Sequence, residues 1–176
     1  MSIFNSMDIS ASGLTAQRLR LDVISNNIAN INTTRTGQLT PEGNQIPYRR
    51  QVVVFEARKP EASFAETLNQ ALQGKSQALK ALQEGAKTQS PVGSGVQVQA
   101  ISTDPSEFRL EYNPESPDAV QNPEEGLPVG YVRLPNVDIV TEMVDMISAS
   151  RAYEANVTAL NASKSMLTKA LEIGKG

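Results

Sequence analysis

Apolar side chains recur in steps of four and three residues at both ends of the chain and in steps of two in its middle, so the ends read as helices and the middle as strands. The longest pattern covers 135–173. There Ile139, Met143, Met146, Tyr153, Val157, Leu160, Leu167 and Leu171 form one row, with Ser150 and Lys164 filling its two vacant places. This is the period of a coiled-coil seam. A second row of mostly small side chains, Ala149, Ala152, Asn156, Ala159, Ser163, Met166 and Ala170, runs about 90° around the same helix at roughly 100° per residue. Arg151, Glu154, Lys169 and Glu172 fall on the far side and mark the wet face. Pro135 fixes the chain before the helix, Asn136 or Asp138 supplies the N-cap, and Gly174 follows the last apolar residue.

The N-terminal segment 6–31 repeats this signal, with Met7, Leu14, Leu21 and Ile28 spaced seven apart and Ile24 and Ile31 in support. Gly13 lies beside Ser10 and Ser12 and has two readings, a close helix crossing or a break. Asn26, Asn27, Asn30 and Asn32 crowd the helix end, where amide side chains compete for backbone groups; they read as a cap and turn. A single amphipathic core helix in a monomer would produce the same periodicity. One buried row, however, does not offset the entropy of ordering some ~35 residues of helix. The terminal helices are therefore expected to need packing partners on several sides.

All ten prolines fall between Pro41 and Pro135, which divides the molecule into helical ends and a turn-rich centre. Segment 33–47 reads as loop. Val52, Val53, Val54 and Phe55 end a strand at 48–55, alternation predicts strands at 95–101 and 107–112, and a short one is expected at 131–134, with 113–128 as loop. Within 62–87, Phe64, Leu68, Leu72, Leu79, Leu82 and Ala86 keep near-helical spacing. The Ala, Gln, Leu and Lys-rich composition there leaves short amphipathic helices and partial disorder both open. The expected class is α+β: long terminal helices in a coiled-coil-like bundle, with a small antiparallel β module between them. The divisions are 1–34 for the first axial helix, 35–134 for the β-rich middle with a helical insertion at 56–94, and 135–176 for the last helix.

Composition removes much chemistry. With no Cys and no His, a thiolate nucleophile, a disulfide, a Ser-His-Asp triad and an imidazole or thiolate zinc site are all excluded. Glu124 with Glu125, and Asp104 with Glu107, are carboxylate pairs in turns without a recognisable pocket, and read as solvated acids. Gly93-Ser94-Gly95 is followed by a strand and lacks the Lys-Ser or Lys-Thr of a phosphate loop. Arg49 and Arg50 beside Tyr48 lack a continuing basic stripe, so a protein partner suits them better than nucleic acid. No enzyme, cofactor or metal is expected. The net charge of −3 is unevenly spread: residues 1–60 carry seven basic and four acidic side chains, whereas 101–128 carry seven acidic ones and only Arg109. Opposite local signs would orient neighbouring subunits, and a solvated acidic loop would look the same. No apolar run approaches the ~20 residues of a membrane span, and the N-terminus has no cleavable secretory pattern, so residues alone default to the cytosol.

Four stretches form a specific set: Ser25-Asn26-Asn27-Ile28-Ala29-Asn30, Pro47-Tyr48-Arg49-Arg50, Pro135-Asn136-Val137-Asp138, and the run Met146-Ile147-Ser148-Ala149-Ser150-Arg151-Ala152-Tyr153-Glu154-Ala155-Asn156. Together they closely resemble the bacterial flagellar rod and hook proteins, over about the first 55 and the last 80 residues. The resemblance implies an axial structural subunit, secreted by the flagellar type III export apparatus and placed in the periplasmic rod of the basal body. It also implies terminal helices that pack around a central channel, with copies of the same chain, other rod proteins and a surrounding ring as partners. The segment 56–94 departs from the family by its length. The expected assembly interface comprises Met7, Leu14, Leu21, Ile24, Asn27, Ile28 and Asn30 from the first helix, and Met143, Met146, Tyr153, Asn156, Val157, Leu160, Leu167 and Leu171 from the last. The competing reading is a cytosolic helical adaptor that binds a regulatory partner through its acidic loop.

Overall fold

A computed structural model describes residues 3–58, 93–123 and 126–174. Two long helices, α1 (Ile3–Ala29) and α2 (Ile139–Ile173), flank four strands, β1 (Gln51–Ala57), β2 (Val96–Thr103), β3 (Arg109–Tyr112) and β4 (Tyr131–Leu134). The class is α+β, as the patterning predicts. The helical readings within 62–87 and the pair Glu124 and Glu125 lie outside the described residues.

The small antiparallel β region between the helices is built of two strand pairs. β1 pairs antiparallel with β2 and β3 with β4, giving two separate two-stranded sheets. Val54 pairs with Ala100 but Phe55 pairs with Val98, so Gln99 is the extra residue of a β-bulge that bends the first ribbon. Periodicity locates strands but not their partners, so the division into two pairs is visible only in the fold. The loop of 113–123 closes back on β4, where the Val120 N–H donates to the Tyr131 carbonyl at 2.8 Å and the Gly130 N–H to the Val120 carbonyl at 3.1 Å. Val120, Leu127 and Val132 are buried beneath it.

The terminal helices form an antiparallel hairpin with a regular register. Ser6 faces Ser163, Gly13 faces Asn156 and Asn27 meets Glu142, so each step of seven or fourteen residues on α1 is matched by the same step back on α2. Gly13 settles as a close crossing: a Cβ there would lie 3.0 Å from the Asn156 amide. Asn156 in turn donates to the Ala152 carbonyl at 2.9 Å. The α2 N-cap is Asp138, whose carboxylate accepts from the Val140 N–H at 3.0 Å. Asn136, the other N-cap candidate, is used elsewhere.

Candidate assembly surface

The hairpin closes on the small row of α2 rather than the large one. Glu142, Ala149 and Ser163 are the buried α2 residues, and on α1 the buried positions are Ser10, Gly13, Ala16, Val23, Ile24 and Asn27. Polar and small side chains thus make the intramolecular seam, since they let the two backbones approach closely. The large residues are pushed aside by the same geometry. Met146, Val157, Leu160 and Leu167 are half-buried, while Met143 is 53% and Leu171 70% exposed, and Tyr153 is exposed with them. On α1, Met7, Leu14, Leu21, Ile28 and Asn30 are half-buried. Of the residues expected at the assembly interface, Ile24, Asn27 and Asn156 are therefore engaged inside the chain. The others keep part of their surface.

The first turns of α2 also carry an apolar patch that the two rows do not contain. Val140, Val144 and Ile147 follow helical spacing beside Ile139 and Met143, and Val144 and Ile147 are 62% and 60% exposed. Its period was legible in the sequence, but it lies between the chosen rows and needs the observed seam to be recognised as unpartnered.

Where the hairpin meets β1, a hydrogen-bonded ion network fixes the strands to the helices. Asn27 uses every bond its amide can make: Nδ2 donates to the Gln51 carbonyl at 2.8 Å and to Glu142 Oε2 at 3.1 Å, while Oδ1 accepts from the Gln51 N–H at 3.0 Å and the Tyr48 hydroxyl at 2.9 Å. The fully buried Glu142 carboxylate accepts a second bond from Arg50 Nε at 2.5 Å. The remaining Arg50 nitrogens reach Asp104 and Asp145, each at 3.3 Å, and Arg20 binds Asp145 at 2.8 Å. Burial alone would lower the Arg50 pKa, but Glu142 and Asp104 outweigh it and hold the guanidinium above its ordinary value. Burial and then the Glu142 charge push the Tyr48 hydroxyl up, keeping it a donor, although its bond from Asn26 opposes them. Asn136 completes the joint by accepting from the Arg50 N–H at 2.8 Å and donating to the Ser106 hydroxyl at 2.8 Å.

Arg49 and Arg50, expected to meet a protein partner, make contacts within this chain. Arg49 lies 4.3 Å from the centre of the Phe108 ring and donates to the Asp104 carbonyl at 3.0 Å. Glu142 was missed by periodicity because a carboxylate breaks an apolar row. Its position seven residues before Ala149, on the small row, was the available signal. A cleft of about 190 Å³ opens beside the joint between Arg20, Val23, Asn27, Arg50 and Glu142, and it contains no nucleophile with an adjacent base. Among the described residues no cluster of acidic side chains is arranged to hold a metal ion.

Two family models match the chain: "Flagella basal body rod protein" over residues 7–35 and "Flagellar basal body rod FlgEFG protein C-terminal" over residues 129–173. These are the two helical ends and their approach. The flagellar basal-body rod protein FlgC of Bacillus subtilis is 47% identical over 99% of this chain and 100% of its own length. The chain belongs to the FlgC family. FlgC of Borreliella burgdorferi is 46% identical over the full length of both chains, and FlgC of Escherichia coli 37% identical over 99% of this one. The matches run across the middle as well as the helices.

Proposed function

We propose that this structural subunit of the flagellar basal-body rod assembles through the large apolar surfaces its own hairpin leaves uncovered. One observation carries the reading: α1 and α2 close on Ser6, Gly13, Asn27, Glu142, Asn156 and Ser163, leaving Ile139, Val140, Met143, Val144 and Ile147 facing outward. A side chain fully removed from water contributes ~1.5 to 3 kcal/mol, so covering these half-exposed residues is worth about 4 to 8 kcal/mol. Association costs ~4 to 15 kcal/mol in lost freedom. One such contact is thus marginal, whereas a subunit held on several sides at once is stable.

In this reading the helices of 1–34 and 135–176 form the axial part and the strands of 35–134 lie outside it. The partners are other rod proteins and further copies of this chain, with a surrounding ring at the outer surface. The resemblance of the terminal motifs supports passage through the flagellar export apparatus and a periplasmic location. No helix among the described residues is long and apolar enough to cross a membrane. The subunit is not an enzyme, and the relatives give a cytosolic adaptor no support.

The test is Val144→Asp, with the exposed polar position Ser148→Asp as control. Both variants should unfold within about 0.5 kcal/mol of the parent, because neither site is packed. Val144→Asp should nevertheless be absent from purified basal bodies and its cells non-motile, while Ser148→Asp incorporates. Normal rods and swimming with Val144→Asp would refute this surface.

A further inference from the structure

A two-stranded sheet has two outer edges, and an open edge is a template for another strand unless it is covered, short or charged. Among the described residues, three of the four outer edges here are managed. On β1 the Asn27 side chain occupies both backbone groups of Gln51. On β4 the Val120 segment pairs with Tyr131 and Gly130. The β3 edge is four residues long and carries Arg109 and Glu111. The β2 edge differs. At its start the Ser12 hydroxyl accepts from the Val96 N–H at 3.1 Å, close to α1, with Gly95 (φ +88°) turning the chain so that nothing larger meets Ser12. Beyond that point 99–103 is exposed throughout, and the whole of Val96–Thr103 contains neither a charge nor a proline.

The outward groups follow from the ladder. The Asp104 N–H donates to the Arg50 carbonyl at 2.9 Å, and the Gln51 backbone faces away from β2 toward Asn27. Alternation then turns the N–H and C=O of Ile101 and Thr103 away from β1, on an edge where Ile101 is 47% exposed. We propose that this edge accepts an extended segment from a neighbouring rod subunit, which adds to β2 as a third strand. The occupant is an uncharged segment: side chains at 97–103 are Gln, Val, Ala, Ile, Ser and Thr, which offer a charged strand no counter-ion. At the Thr103 end, Asp104 and Arg50 are paired with each other. The proposal rests on the rod reading and adds a contact that the helices do not supply.

The test uses the absence of cysteine from the chain. Ile101→Cys and Thr103→Cys report the edge, and Tyr112→Cys, on the exposed β3, is the control. In the purified subunit all three should react rapidly with a maleimide. In purified basal bodies Ile101→Cys and Thr103→Cys should be protected at least ten-fold while Tyr112→Cys still reacts. A short bifunctional cross-linker should then join the edge to a neighbouring subunit, with the attachment in an uncharged extended segment. Ile101→Pro removes only an outward N–H and Ile101→Lys adds a guard charge. Both should fold and lose rod incorporation, whatever the cysteine variants do. Equal labelling of all three cysteines in basal bodies overturns the proposal. Cross-linking of β2 to β2 of a second copy overturns it too, as do normal rods from both Ile101 variants. If the parent chain is missing from basal bodies, the rod reading itself fails.

Discussion

The two ends of the helical hairpin are held by different physics. Near the strands, Asn27, Glu142, Arg50, Asp145 and Arg20 form a joint in which the buried carboxylate accepts from two donors on different elements. At the far end the helices meet through the hydroxyls of Ser6 and Ser163 at 3.4 Å, and α2 runs on to Leu171 and Ile173, which are largely exposed. A closed network with fixed donor angles specifies one arrangement; a long hydroxyl contact beside uncovered aliphatic residues specifies little. The subunit therefore sets its own geometry at the strand end and leaves the other end less firmly specified. In the isolated chain, hydrogen exchange is expected to be slow around Asn27 and Glu142 and fast toward Ser6 and Leu171.

The strongest way to break this contrast is Glu142→Ala. It leaves Arg50 Nε and one Asn27 donor without their acceptor inside the joint, and removing one partner of a buried pair costs ~3 to 5 kcal/mol. Urea unfolding of the purified chain measures it. Exchange at the strand end should rise to the level of the far end, and a change under about 1 kcal/mol would mean the network is ornamental to stability. Gly13→Ala comes next. Alanine gains about 1 kcal/mol of helix propensity over glycine. Against this, its Cβ would stand 3.0 Å from the Asn156 amide, and overpacking of that kind costs ~1 to 3 kcal/mol. The net expectation is a loss of about 1 kcal/mol that Asn156→Ala reverses in the double variant. Additive effects of the two substitutions would place the close crossing elsewhere.

The same contrast explains what the sequence could and could not reveal. Both helices, the capping of α2 by Asp138 and the strand segments are local signals, and each was legible from spacing, propensity or a cap residue. The seam was not, because periodicity marks the large row from Ile139 to Leu171 as the buried one, whereas the chain closes on Ala149, Asn156 and Ser163. Whether a row is buried within the chain or left for a partner depends on which backbones can approach, and Gly13 decides that from more than a hundred residues away. Arg50 was visible as a motif beside Tyr48, but its partners Asp104, Glu142 and Asp145 come from distant parts of the chain. Pairing of that kind has no local period to read. The two-sheet arrangement was hidden for the same reason.

Acid provides the smallest and most selective test. The Asp104 carboxyl lies below its ordinary range because the Ser106 N–H and hydroxyl donate to it and Arg50 adds its charge, against a smaller opposing effect of burial. A folded-state value below the unfolded one, about 3.9, means that the unfolded chain binds the proton more readily. The contribution is complete above that value and is lost as pH falls through the folded one. At Asp118, burial pushes upward but the Thr34 hydroxyl and Arg35 outweigh it, giving the same sign far from the hairpin. Stability of the parent should thus fall as pH drops below about 5, and Asp104→Asn should flatten part of that fall. Asp118→Asn should flatten it too without altering exchange at the joint. The far-end contacts of Ser6, Gly13, Asn156 and Ser163 contain no titrating group, so amides there should show no matching acid-dependent change in protection. Acid would then erase the difference between the two ends by loosening only the strand end; parallel acid profiles at both ends would show that the joint does not confine the titration.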